Sequence, residues 1–232
     1  MAGEPDSSRV SGFSNVESIS IATTDGRTLQ GYRLNAMLSG RALTANGYLL
    51  VAQGNAMLAD QVLGSFIEFS QSGFDVYIFD YRGYGRSQGK RRLKAIVNDY
   101  QEIIDHLDSQ LYPTRLFYGM SFGGIVLLDA LDGRVEDRRV VIDSTPSRLS
   151  DYGCPRVYDP VENLPKDSSN LYFVTGLKDS VVKPAMSREL VELAKKRGAF
   201  VMVDPEMAHP FMDRNVLIHN RRINTVKSFL LR

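Results

Sequence analysis

Gly119-Met120-Ser121-Phe122-Gly123 reads G-x-S-x-G and stands between two apolar runs, Leu116-Phe117-Tyr118 and Ile125-Val126-Leu127-Leu128. A strand-to-helix turn this sharp holds Ser121 in a strained backbone, and side chains at the flanking glycines would collide with the neighbouring strand and helix. The hydroxyl is thereby pushed above the sheet. A helix beginning directly after Ser121 aims the Phe122 N–H, and the positive end of the helix dipole, at any oxyanion formed there. Such a serine attacks an acyl carbon, provided that a base takes its proton and an acid orients the base.

Few residues qualify as partners. The chain has 3 histidines. His106 lies in the helix-period segment Leu93 to Leu107 and His219 in the terminal one, so only His209 follows a strand. Two apolar runs lead into carboxylates, Val140-Val141-Ile142 into Asp143 and Leu171 to Val174 into the loop that holds Asp179. Cys154, in the loop Tyr152-Gly153-Cys154-Pro155, has neither an elbow nor an adjacent base and is not expected to act as a nucleophile. No His/Glu spacing suggests a catalytic metal, and no cofactor is implied.

The elements that must hold these residues follow from periodicity. Val16 to Ile21 alternates apolar and polar, Asp25-Gly26 makes a turn, and Leu29 to Leu34 resumes, which predicts an antiparallel hairpin. Tyr48 to Ala52, Val76 to Phe79, Leu116 to Tyr118, Val140 to Ile142, Leu171 to Val174 and Phe200 to Val203 are continuous apolar runs, as expected of strands buried on both faces. Helix-period segments fall between them at Asp60 to Ser70, Leu93 to Leu107, Gly123 to Leu131, Ala185 to Lys196 and Val216 to Leu231. Strands and helices alternate. That order predicts an α/β fold, a mostly parallel sheet with helices on both faces and the antiparallel hairpin at the front, whose ligands lie beyond the carboxyl ends of the strands.

Composition narrows the classes. The chain has 232 residues, 43% hydrophobic and 24% charged, with a net charge of +1, which argues against the basic face of a nucleic-acid binder. A single cysteine rules out a disulfide scaffold within the chain. No run of 18 apolar residues occurs, and Met1 to Asn15 is a polar segment without an apolar leader core, so the expectation is a soluble, cytoplasmic protein; a removed leader would leave a periplasmic or secreted one. Residues 16–232 are expected to form one domain, since no Pro/Gly/Ser linker divides them.

With its elbow serine, the sequence resembles the α/β-hydrolase superfamily from about Val16 onward, and in particular a branch of lidless esterases and acyl-protein thioesterases. That family presents nucleophile, acid and histidine in this chain order. The resemblance assigns the acid to Asp179 in Thr175-Gly176-Leu177-Lys178-Asp179 and the base to His209 in Glu206-Met207-Ala208-His209-Pro210. Asp179→Asn is therefore expected to cripple turnover and Asp143→Asn to leave most of it. Gln53-Gly54-Asn55-Ala56-Met57 resembles the oxyanion loop, so Asn55 or Ala56 is expected to donate beside Phe122, although family members commonly carry His where this chain has Gln53. The lipase-type H-G-G-G motif is absent. Asp80-Tyr81-Arg82-Gly83-Tyr84-Gly85-Arg86-Ser87 invites a nucleotide-binding reading but has the wrong glycine spacing; it resembles a structural loop of the same hydrolase branch.

The substrate side is less specified. About 28 residues separate Ile142 from Leu171, too few for a large cap, though Tyr152, Cys154, Val157, Tyr158 and Val161 could form one wall of a site. Met57, Met120, Met207 and Met212 neighbour the candidate residues and suit an adaptable acyl pocket, or else fill core gaps. Arg86, Lys90, Arg91, Arg92 and Lys94 crowd the start of a predicted helix against its dipole, which fits an anionic partner or a peripheral membrane contact as well as a solvated face. These residues together imply a serine hydrolase that cleaves a small-molecule or lipid-derived carboxylic ester. Thioester cleavage, with a lipidated protein as substrate, and amide cleavage by a small peptidase stay open, as does a non-catalytic binding module on the same fold.

Overall fold

The computed structural model describes residues 3–38, 41–42 and 44–232. Met1 and Ala2, the head of the polar N-terminal segment, lie outside the described residues. In chain order the elements are β1 (Val16–Ala22), β2 (Thr28–Leu34), the two-residue β3 (Met37–Leu38) and β4 (Arg41–Ala42), β5 (Gly47–Ala52), α1 (Ala59–Val62), α2 (Ile67–Gln71) and β6 (Phe74–Phe79). Then follow α3 (Leu93–Ser109), β7 (Arg115–Met120), α4 (Phe122–Leu131), β8 (Arg138–Asp143), β9 (Leu171–Gly176), α5 (Pro184–Lys196), β10 (Phe200–Asp204) and α6 (Val216–Leu230). Eight strands form a mostly parallel sheet in the order β1-β2-β6-β5-β7-β8-β9-β10, and β3 pairs with β4 in a separate ribbon. The chain divides into two compact units, Met1–Leu116 and Phe117–Arg232, with the boundary inside β7 and not in a linker.

In the first unit the expected hairpin is present, with Val16 opposite Leu34 and Ala22 opposite Thr28. Its turn is closed by the Thr23 N–H donating to the Arg27 carbonyl at 2.8 Å, and Gly26 takes the left-handed φ of 74° that a turn of this kind requires. β2 runs antiparallel to β6, and β5 runs parallel to it. A Cβ on Gly31 would come within 2.3 Å of the Ile78 carbonyl oxygen, so only glycine lets β2 lie this close to β6. All six residues of β5 are buried, as its apolar run implies. The helix expected over Asp60 to Ser70 is broken: α1 gives way to a 3-10 turn at Leu63–Phe66 before α2 begins. Gly64-Ser65 lies at the break, where helix propensity is weakest. α3 buries Ile96, Val97, Tyr100, Ile103, Ile104 and Leu107, the face that its spacing predicts.

In the second unit β8, β9 and β10 are parallel neighbours. α4 is apolar around its whole circumference and buries all but two of its ten residues, Phe122 and Asp129. The run Phe200 to Val203 departs from its reading as a strand buried on both faces. β10 ends the sheet order, and Phe200 and Val203 are each 51% exposed, because an edge strand lacks a neighbour on one side. Residues 144–170 hold two 3-10 turns, Ser150–Tyr152 and Arg156–Tyr158, and no α-helix.

Candidate active site

Ser121 is the only residue between β7 and α4, and its backbone lies at φ 54° and ψ −115°. For a residue with a side chain this left-handed region costs on the order of 1–3 kcal/mol and persists only where the surroundings impose it. Here they do. The Ser121 N–H donates to the Asp143 carbonyl at 2.7 Å, and its own carbonyl accepts from the Gly124 N–H at 3.1 Å and from the Thr145 hydroxyl at 3.0 Å. A Cβ on Gly119 would lie 2.8 Å from both the Gly123 oxygen and the Gly124 Cα, the collision expected of that glycine. Gly124, outside the G-x-S-x-G pattern, is tighter still, since a Cβ there would reach within 2.0 Å of the Thr145 Oγ1. Phe122 opens α4, so its N–H belongs to the positive end of that helix.

Asp179 and His209 meet in the same unit. The loop after β9 is fastened to the loop after β10 by the Leu177 N–H on the Asp204 carbonyl at 2.8 Å and the Lys178 N–H on the Met207 carbonyl at 3.1 Å. Gly176 allows this approach, because a Cβ would sit 2.1 Å from the Met207 oxygen. The Asp179 Oδ1 accepts from the Val181 and Val182 N–H groups at 2.8 and 2.9 Å, and its Oδ2 lies 2.8 Å from the His209 Nδ1. Burial pushes the Asp179 carboxyl up, but the His209 hydrogen bond and charge and the two backbone donors outweigh it and hold the group below the usual carboxylate range. In the neutral ring that donates its Nδ1–H to Asp179, the lone pair is on Nε2.

Asp143, the other strand-end carboxylate, is engaged elsewhere. It is wholly buried, accepts from the Arg222 Nη1 at 2.7 and 2.9 Å, and takes the Tyr118 hydroxyl at 2.8 Å. Arg222 also reaches Asp213, with Nε–Oδ2 at 3.1 Å, and the Ala208 carbonyl at 2.5 Å. Thr145, Asp213 and Arg222 lie outside the residues that the motifs of the sequence mark. One signal did exist: Ile218, Arg222, Val226 and Leu230 recur every fourth residue, which places a charge in the buried stripe of α6.

The remaining candidates are spread over both units. Asn55 and Ala56 follow β5 in the first unit. The Asn55 Oδ1 accepts from the Tyr84 hydroxyl at 2.5 Å, and Ala56 holds a left-handed φ of 62°. Gln53 is fully buried, donating through Nε2 to the Phe79 carbonyl at 2.9 Å, while its backbone carbonyl accepts from the Tyr81 hydroxyl at 2.6 Å. Of the four methionines, Met120 and Met207 have no exposed surface, packed into the core where β7 ends and against Gly176, which fits the core-filling role of the two open to them. Met57 is half-buried and Met212 is 57% exposed. His219 packs its ring on Phe211 at 4.8 Å, and burial lowers its pKa. In the loop 144–170, Tyr152 and Val157 are exposed, Cys154 and Tyr158 are half-buried, and Val161 is buried. The basic cluster is divided: Arg91 donates to the Gly83 carbonyl at 2.9 Å and lies over the Tyr84 ring, whereas Lys90 and Arg92 line a cavity of about 620 Å³ with Arg27, Arg82 and Asp25.

A mostly parallel sheet with an antiparallel N-terminal hairpin and a serine at the turn from strand to helix is the architecture of the α/β-hydrolases. Within that class the chain belongs to the family described as serine aminopeptidase, S33, whose pattern matches residues 44–160. It is 30% identical over 220 residues, 87% of this chain and 76% of the other, to a protein of Escherichia coli (strain K12) named uncharacterized protein YfhR. The esterase Pf2001 of Pyrococcus furiosus has the same fold, with a TM-score of 0.76 at 19% identity over 100% of this chain and 97% of the other. So does XC6422 of Xanthomonas campestris, described as a serine hydrolase without lid, with a TM-score of 0.70 at 16% identity over 94% and 97% of the two chains. Among the described residues no helix is long and apolar enough to cross a membrane.

Proposed function

We propose that the protein is a serine hydrolase that cleaves carboxylic esters through an acyl-enzyme intermediate. The observation that carries this reading is the imposed backbone of Ser121 at φ 54°, in the unit that also pairs Asp179 with His209 at 2.8 Å. Strain of this kind concentrates at sites where chemistry is done.

In this reading the Ser121 hydroxyl oxygen attacks the ester carbonyl carbon while the His209 Nε2 takes its proton. Asp179 keeps the ring in the right tautomer and stabilises the imidazolium. The carbonyl oxygen becomes an oxyanion that the Phe122 N–H and the α4 dipole stabilise. Collapse breaks the bond to the leaving alcohol, which carries away the proton from His209. Water then attacks the acyl carbon as it gives a proton to the same nitrogen; the bond to the Ser121 oxygen breaks, the acid leaves, and His209 returns the proton to restore the hydroxyl. Without a helical cap over residues 144–170, soluble short-chain esters should be hydrolysed without a lipid interface.

A fluorophosphonate probe should label one site, and Ser121→Ala should abolish that label. Labelling that persists in Ser121→Ala, or none in the wild type, would favour a binding module on a hydrolase fold. The family description favours amide cleavage as a second reading. A panel of p-nitrophenyl esters, thioesters and aminoacyl amides separates the two, with the largest kcat/KM expected on the esters.

A further inference from the structure

Arg222 is the largest of the fully buried side chains, and its guanidinium joins the loop that carries His209, through Ala208 and Asp213, to Asp143, whose backbone carbonyl holds the Ser121 N–H. We propose that Arg222, acting through Asp143 and Asp213, is a positioning residue that fixes the His209 ring relative to the Ser121 hydroxyl. This rests on the reading of those two residues as base and nucleophile.

The chain of contacts is continuous. Asp143 meets the nucleophile side: its backbone carbonyl accepts the Ser121 N–H at 2.7 Å, and its carboxylate takes both bonds from the Arg222 Nη1, at 2.7 and 2.9 Å. Asp213 meets the histidine side, accepting the Ala208 N–H on Oδ1 at 2.7 Å and the Arg222 Nε on Oδ2 at 3.1 Å. The Arg222 Nη2 closes the circuit on the Ala208 carbonyl at 2.5 Å. Both polar backbone groups of the residue before His209 are therefore held by this arginine and its acid. Beyond His209 the loop turns back at once, with the Met212 N–H on the His209 carbonyl at 2.8 Å and Phe211 at a left-handed φ of 64°.

A planar guanidinium holds such an arrangement where an ammonium would not, because its donors diverge at fixed angles. The side chains of Arg222, Asp143 and Asp213 all have 0% exposure, so water cannot relax the geometry. Stability alone is a poor reason for such a group, since buried ion pairs are commonly replaced by packed apolar residues without loss. Positioning is a better one, because a displacement of about 1 Å between reacting groups can cost on the order of 100-fold in rate.

The test compares Arg222→Lys and Arg222→Gln with Leu190→Ala, a core variant in α5 chosen for a similar loss in Tm. The arginine variants should lose about 10- to 100-fold in kcat on a neutral short ester with KM within about twofold, whereas Leu190→Ala should keep its kcat. Independently of turnover, the low-field proton resonance of the His209 Nδ1–H should shift or broaden in both arginine variants and stay in place in Leu190→Ala. Should neither arginine variant fold, Asp213→Ala removes the acceptor of the Ala208 N–H and is read in the same way. Equal kcat in the arginine and Leu190 variants, with an unmoved Nδ1–H resonance, would overturn the proposal. If the wild type turns over nothing, the reading of Ser121 fails, and the resonance alone still decides whether Arg222 positions His209.

Discussion

The loop after β6 in the first unit and the loops after β9 and β10 in the second each bury a carboxylate and an arginine, with opposite results. Asp80 is 6% exposed, accepts the Ala59 N–H at 2.7 Å and has no cation partner among the described residues. Burial, with the charge of Asp60 added, pushes it up to about 6 against that one backbone donor. Asp179 is 4% exposed, yet three donors converge on it and hold it below the ordinary range. Depth is the same; the donors decide the charge. The arginines differ in the reverse sense. Arg82 is held by Asp99, with Nε–Oδ2 at 2.7 Å, and by Asp25, whose side chain is 53% exposed. Arg222 has only buried acids.

The largest effect should come from exchanging the two carboxylates for amides. If Asp179 stabilises an imidazolium on His209, Asp179→Asn should reduce kcat by about 10³- to 10⁴-fold while leaving the fold intact. Asp80→Asn should leave kcat close to wild type, because the Asp80 carboxylate braces the Ala59 N–H within its own unit. Steady-state kinetics on folded variants checks both. The reverse ranking would place the acid function outside the Asp179 loop.

Next in size is the contrast between the arginines. Arg222→Gln strands Asp143 and Asp213 in a dry site and should lose about 3–5 kcal/mol of stability. Arg82→Gln strands one buried acid, Asp99, and leaves Asp25 open to water, so it should lose less, about 1–3 kcal/mol. Urea denaturation of both variants measures the difference, and equal losses would mean that exposure of the partner acid does not set the cost.

These contrasts mark what could be read from the chain alone. The alternation of apolar runs with helix-period segments gave the α/β architecture, because strand burial and helix faces are local patterns. Ser121 was legible for the same reason: its glycines and flanking runs lie within a few residues. The Phe200 to Val203 run misled, since an apolar strand says nothing of whether a neighbour lies on each side. For Met120 and Met207, both buried, proximity in sequence to Ser121 and His209 could not decide between pocket and core, because it does not give direction. Arg222 and Asp143 stand 79 residues apart, and only the fold reveals that a charge in the stripe of α6 has its counter-ion at the end of β8.

A smaller effect separates the carboxylates by pH. A group raised in the folded state binds more protons there than in the unfolded chain between the two pKa values, so it makes stability fall as pH rises through that interval. For Asp80 the interval runs from the ordinary 3.8 to about 6. Asp80→Asn should remove this slope and raise stability above pH 6 by roughly 2–3 kcal/mol relative to wild type. Asp179 has the opposite sign: its lowered pKa adds stability that is present above 3.8 and is lost as pH falls through the folded value. Denaturant midpoints measured from pH 3 to 7 test both signs. A wild-type curve parallel to that of Asp80→Asn would show that water or motion already relieves the buried carboxylate.

The smallest effect concerns the rim of the loop after β6. Arg27, Arg82, Lys90 and Arg92 face a cavity of about 620 Å³ with Asp25 as the one acid of its lining, and α3 begins there with no acidic residue in its first turn. Cations at a helix N-terminus oppose its dipole by about 0.3–1 kcal/mol each, a cost that an anion resting among them would offset. Lys90 and Arg92 are exposed, so any such attraction is screened, with a Debye length of about 10 Å at 0.1 M salt. Turnover of an ester carrying a carboxylate or phosphate should therefore weaken between 0.05 and 0.5 M salt (roughly a threefold change in Debye length), while a neutral ester of equal length should not. Lys90→Glu with Arg92→Glu should flatten the first curve onto the second. Equal salt dependence of both esters in the wild type would leave these cations as a solvated face, and the two loops would then differ in what they brace, not in what they bind.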